Sequence, residues 1–133
     1  MASKTSLPRG EIGAFCRELR RLRIRPERIT LFGSWAQGVA HAGSDIDLIV
    51  VSRDFRGKGL RRRLELLGVA AARALVPIQA LGYTPREIEE PEPGGLLHSI
   101  LRGATPAVPV DISGPDVAIA TASRPSPGRW RDG

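Results

Sequence analysis

Two aspartates one residue apart open a run of branched apolar side chains, Asp45-Ile-Asp-Leu-Ile-Val-Val51. Branched apolar residues specify a strand, and aspartate is disfavoured in one. Side chains two apart on a strand share a face, so the pair would set two carboxylates side by side. Like charges at that spacing push one pKa up unless a cation compensates. Something positive is therefore expected at the start of this strand. Just upstream, Arg28 to Phe32 reads as a second short apolar strand that runs into Gly33-Ser34, and a short helical turn fits between Ser34 and Gly38.

Around this centre the chain alternates between helical and extended patterns. Ile12, Phe15, Cys16, Leu19 and Leu22 fall three or four apart between about Pro8 and Arg23, the spacing of an amphipathic helix that Pro26 ends. A second helix is expected from about Lys58 to Leu75. Its apolar stripe would be Leu60, Leu64, Leu67 and Ala71, with Arg61, Arg62 and Arg63 on the other side, and Pro77 would close it. Ile78 to Tyr83 reads as a third strand. Thr84 then caps a short helix at Pro85, and Glu87 three positions on completes a capping box. Pro91 to Gly95 break the chain, Leu96 to Leu101 is helical again, and Ala107 to Ile112 is a weak run that Pro106 and Pro109 limit to an edge strand. The order predicts an α/β (α+β) layer, a small mixed sheet with helices packed on it, in one domain over residues 1–112. Residues 113–133, rich in Pro, Gly, Ser and Arg, are expected to form a disordered tail.

Length and composition narrow the class. With 133 residues, 41% of them hydrophobic and 26% charged, the chain matches a soluble globular domain rather than a disordered or membrane protein. No stretch nears the roughly 20 apolar residues of a membrane span, and residues 1–10 lack the apolar core of a secretory signal, so a cytoplasmic location is expected. Cys16 has no partner for a disulfide and reads as core. Residues 1–76 hold 15 basic and 7 acidic side chains, whereas residues 77–133 hold 5 and 7. Such an excess suits a nucleic acid, an acidic protein or a nucleoside triphosphate. The arginines at 20, 21, 23 and 25 and at 61–63 read first as solvated helix faces. An aromatic content of 5% argues against stacking platforms for single-stranded nucleic acid, which is not an expected partner. His41, His98 and Cys16 are too scattered for a zinc site.

A pair of hard oxygen ligands matches Mg²⁺, which is commonly held by one or two carboxylates plus substrate phosphates. Gly33 permits a tight turn and close backbone approach, and the Ser34 hydroxyl can donate to phosphate oxygens. Each part alone is ordinary. Strand, Gly-Ser turn, short helix and Ser-Asp-x-Asp strand within about 24 residues are hard to obtain from packing needs alone. Leu31-Phe-Gly-Ser-Trp-Ala-Gln-Gly38 and Ser44-Asp-Ile-Asp-Leu-Ile-Val50 resemble the Gly-Ser-x-x-x-Gly and Ser-Asp-x-Asp-Leu motifs of minimal nucleotidyltransferases, in the DNA polymerase beta-like superfamily. The resemblance extends through Asp54 to Lys58, Tyr83 to Ile88 and Leu97 to Gly103.

The resemblance implies a nucleotidyltransferase fold, with nucleotide held by Gly33, Ser34, Gly38 and Ser44 and Mg²⁺ by the catalytic Asp45 and Asp47. It implies transfer of AMP from ATP, or of another nucleoside monophosphate, to a hydroxyl. The acceptor would be a partner protein, antitoxin-like, with a HEPN-type ribonuclease toxin as the family's example; a second copy of the chain could also complete the site. Two positions depart from the pattern. Gln79 stands where the family has a third carboxylate, and an amide takes no proton. An impaired nucleotide-binding or protein-docking module is therefore the alternative. Asp111, in a Val-Pro-Val-Asp-Ile context, could substitute, although it follows Asp47 by 64 residues where Gln79 follows by 32. Trp35 stands where the family often has Arg, leaving Arg53 or Lys58 to meet the phosphates.

Overall fold

Prolines and glycines divide the chain into short elements, which a computed structural model describes over residues 8–41, 43–112 and 118–119. Helix α1 (Arg9–Arg21) buries Ile12, Phe15, Cys16 and Leu19 completely. Burial of each large apolar side chain contributes roughly 1.5–3 kcal/mol. The helix ends where Arg23 turns left-handed and the Ile24 N–H returns to the Leu19 carbonyl. Strand β1 (Arg28–Phe32) alternates, with Ile29 and Leu31 buried and Arg28, Thr30 and Phe32 on its other face. A four-residue helix α2 (Ser34–Gln37) leads to β2 (Ile46–Val51), then a 3₁₀ turn over Arg53–Phe55 and the helix α3 (Leu60–Ala74). Strand β3 (Ile78–Tyr83), helices α4 (Pro85–Glu89) and α5 (Leu96–Leu101), and strands β4 (Ala107–Asp111) and β5 (Ala118–Ile119) follow. The expected capping box of Thr84 and Glu87 opens α4.

The sheet runs β3-β2-β1-β4-β5, with β2 and β3 parallel and the other neighbours antiparallel. This is the mixed sheet of the expected α/β class. Helices α1 and α3 cover one face, where Ile46, Leu48 and Val50 of β2 join Ile29, Leu31, Phe15 and Leu67 in the main core. On the opposite face Ile49, Val51 and Leu97 gather with Tyr83, Ile88 and Ile100, so α4 and α5 cover the Val51 end of β2.

Two expectations are corrected. The buried stripe of α3 is Leu66, Leu67, Ala70 and Ala71, while Leu60 is 70% and Leu64 43% exposed. The helix is turned this way because Arg63 faces inward: its guanidinium donates to the Lys58 and Gly82 carbonyls and pairs with Glu87 at 2.7 Å. Strand β4 is flanked on both sides and is not a sheet edge. It tolerates Pro109 because β5 pairs only with Val110 and Asp111, leaving the proline stretch a neighbour on one side. The expected tail lies outside the described residues apart from Ala118–Ile119, whose backbone extends the sheet beyond residue 112.

Candidate active site

Register brings the chemistry-bearing residues together. Across the antiparallel pair β1 and β2, Phe32 stands opposite Asp47. Across the parallel pair β2 and β3, Gln79 stands beside Asp47. Paired residues share a face, so Phe32, Asp47 and Gln79 form a row over three strands on the face away from α1 and α3. Asp45 precedes β2 by one residue and is exposed, and the Gln79 amide Nε2 donates to its Oδ2 at 3.0 Å. The position expected for a third carboxylate is thus spatially beside the aspartate pair, filled by a neutral donor.

Gly33 lies on the other side of Asp47. Its backbone, φ 76° and ψ −153°, is in a region open only to glycine, and a Cβ placed on it would overlap Asp47 Oδ2. The turn therefore rests directly on the carboxylate. Beyond it α2 closes with the Gln37 N–H on the Gly33 carbonyl and the Val39 N–H on the Ser34 carbonyl, both at 3.1 Å. Gly38 ends α2 in the left-handed conformation. The leading amides of such a turn have no partner within it. Ser44 organises the adjoining loop, its Oγ accepting from the His41 N–H at 2.9 Å.

Trp35 joins the two halves of the motif. Its indole N–H donates to the Ser44 carbonyl at 3.4 Å, and its ring packs on the main core. The residue noticed in the sequence as a lost cation thus serves as a latch between the Gly-Ser turn and the Asp45 loop. The suggested substitutes for that cation are engaged elsewhere. Arg53 Nε pairs with Glu27 at 3.2 Å, and Lys58 Nζ donates to the Asp54 carbonyl at 2.8 Å, both past the Val51 end of β2. Asp111 is also excluded as the third acid. Phe32 is level with both Asp47 and Ala107, which places Asp111 at the opposite end of the sheet.

Burial first, and the neighbouring Asp45 second, raise the Asp47 pKa above the ordinary aspartate value. Among the described residues neither aspartate has an ion-pair partner. Among the described residues no group of three or more His, Cys, Asp or Glu is placed to hold a metal ion. Two adjacent, uncompensated carboxylates fit a divalent cation whose remaining ligands come from phosphate and water. A cavity of about 410 Å³ adjoins Asp47 and Gln79, with Phe32, Leu64, Leu67 and Leu81 in its wall. In the sequence Leu64 and Leu67 read only as part of a helix stripe, because the meeting of these wall residues depends on how α3 sits against β3. Cys16 lies in the core, as the helix pattern predicts. The thiol is buried, which pushes its pKa up to about 11, and the His98 Nδ1 accepts from the Gly94 N–H at 3.2 Å.

Comparison with known proteins places the chain in a family. A family model described as a nucleotidyltransferase domain matches residues 12–93, a span that contains Gly33, Ser34, Asp45, Asp47 and Gln79. A crystal structure of a candidate nucleotidyltransferase from Sulfolobus solfataricus is similar over 60% of this chain and 69% of that one, with 18% identity and a TM-score of 0.46. No match was found among curated proteins.

Proposed function

Because this chain belongs to the nucleotidyltransferase domain family, we propose that it moves AMP from ATP onto a hydroxyl of a partner protein, with Asp45 and Asp47 at the reaction centre. The observation that supports this reading most is the contact of the Gly33 turn with Asp47 while Gln79 holds Asp45 from the other side. Backbone amides of the turn and the Ser34 hydroxyl bind the phosphates, and Gly33 lets them approach the carboxylates closely. Asp45 and Asp47 would hold Mg²⁺, which supplies charge neutralisation for the triphosphate and the leaving pyrophosphate. The acceptor oxygen attacks the α-phosphorus, the bond to pyrophosphate breaks, and the hydroxyl proton passes to solvent, since the Gln79 amide takes none. Gln79 positions Asp45 through its hydrogen bond. An antitoxin-like role, with a HEPN-type toxin as acceptor, follows from the family likeness of the motif.

A second reading has its own observation. With Gln79 as a donor to Asp45, the site holds two carboxylates and lacks a general base. The chain would then bind nucleotide and dock a partner without rapid transfer. Incubation with α-labelled ATP, Mg²⁺ and a lysate of the source cell separates the two readings. Label on a discrete protein, absent with Asp45→Ala/Asp47→Ala, supports transfer. Absence of label with intact nucleotide binding supports the docking module. In an otherwise competent site, Gln79→Asp should raise the transfer rate by roughly two to four powers of ten.

A further inference from the structure

The cavity beside Asp47 is lined from both faces of the sheet: Gln79 and Leu81 lie on the Asp47 face, Ile78 and Ala80 on the helix face, and Leu64 and Gly68 come from α3. A hollow can touch both faces of one strand only where that strand has no outer neighbour. Among the described residues strand β3 is the end of the sheet. Its backbone phase is set by two bonds towards β2, from the Ile46 N–H to the Pro77 carbonyl and from the Ser52 N–H to the Tyr83 carbonyl. Odd-numbered residues therefore face β2, and Ala80 turns its N–H and C=O to the free edge. Gly82, in the same phase, already has its carbonyl taken by Arg63. The edge is thus closed at Gly82 and open at Ala80, beside Gln79.

The two sides of Asp47 are also unequal. The phosphate-binding turn at Gly33 is on its β1 side, and Gln79 is on its β3 side. In an in-line displacement the attacking oxygen arrives opposite the leaving pyrophosphate, hence from the β3 side. We propose that the acceptor binds as an extended peptide added to the free edge of β3, with its Ser, Thr or Tyr hydroxyl level with Gln79 and Asp47. This rests on the transferase reading for its use, but not for its detection. Ala80 supplies the paired donor and acceptor that strand addition needs, and the cavity of about 410 Å³ takes the flanking side chains. An apolar wall of Leu64, Leu67 and Leu81 favours valine- or leucine-like neighbours of the hydroxyl residue.

The test uses the isotope-labelled full chain and blocked pentapeptides of alternating threonine and valine, with serine, threonine or tyrosine at the centre. The expected result is a shift of the Ala80 amide resonance and slower exchange of its proton on adding peptide. Ala80→Pro removes an outward donor without touching the β2 ladder and should weaken peptide binding about tenfold, the value of one hydrogen bond. Gly68→Trp is the second variant. Gly68 lines the hollow and a Cβ there meets nothing within 4 Å, so a ring at this position can enter the hollow without displacing the core, and it should abolish peptide binding. Nucleotide affinity should stay as in the parent chain for both. Peptide shifts confined to other surfaces, no binding, or both variants binding like the parent would each overturn the proposal. So would Ala80-dependent self-association in sedimentation without peptide binding, because the edge would then serve a second copy. Bound peptide without label transfer from ATP keeps the edge site and removes the transferase reading. Label transfer to a lysate protein that Ala80→Pro and Gly68→Trp leave unchanged does the reverse.

Discussion

The two ends of β2 treat charge in opposite ways. Beyond Val51 the carboxylates are compensated: Asp54 accepts from the Arg25 N–H at 2.9 Å, Glu27 pairs with Arg53 at 3.2 Å, and Glu87 pairs with Arg63 at 2.7 Å. The Arg25 amide holds the Asp54 pKa below its ordinary value, and the Arg63 guanidinium does the same for Glu87. At the other end Asp47 is raised by burial and by Asp45. One end gains stability from its acids. The other holds two acids at a cost, which a cation and a triphosphate would offset. Two adjacent acids without a compensating cation mark the end where chemistry is expected.

The largest effect should come from the compensated end. Arg63→Ala removes two carbonyl contacts, the Glu87 pair and the guanidinium 5.7 Å above the Phe55 ring. It should cost about 3 kcal/mol in urea unfolding, in line with the loss of charged hydrogen bonds from a largely buried cation. If it costs nothing, the contrast between the two ends fails. Gly33→Ala comes next. Forcing a Cβ into a glycine-only conformation against Asp47 should cost about 1–3 kcal/mol and should also abolish nucleotide binding measured by fluorescence titration.

A pH series sharpens the comparison. The folded pKa values of Glu87 and Asp54 are depressed, so their contribution is present above the unfolded values of 4.5 and 3.8 and is lost as pH falls through the folded ones. Asp47 is raised, so its effect has the opposite sign: the folded state favours the protonated acid, and stability falls as pH rises through the folded pKa. Arg63→Ala should therefore flatten the acid limb of a stability-pH curve, and Asp47→Asn should steepen it. At pH 7 Asp47→Asn should stabilise the fold by less than about 1 kcal/mol, because solvent screens a half-exposed group. The smallest effect is expected at Gly68, where Gly68→Ala should raise stability by about 0.5–1 kcal/mol through helix propensity alone, as read by thermal unfolding.

Much of the site was legible because its signals are local. Thr84 and Glu87 meet three residues apart, Gly33 and Ser34 end a strand, and Asp45 and Asp47 alternate on one. Helix rotation and strand pairing are less local. Of the expected α3 stripe Leu67 and Ala71 are buried and Leu60 and Leu64 are not, because periodicity alone cannot weigh an inward arginine, and Arg63 meets its acid 24 residues away. Pro109 lacks a donor and so predicts an edge for β4, and the short reach of β5 reconciles the proline with an inner strand. Arg53 and Lys58 are engaged at the far end of the sheet, and Asp111 stands there too, so none of the three reaches the aspartate pair.

By itself the order of residues determined which side chains could do chemistry here, since turn, strand and cap preferences act over three or four neighbours. Only the tertiary structure decided that Gln79 touches Asp45, that Trp35 fastens the two motif halves, and that among the described residues β3 has no outer neighbour. Strand order and helix rotation depend on contacts between residues tens of positions apart. No local preference encodes these, because they emerge from the combined burial of both sheet faces.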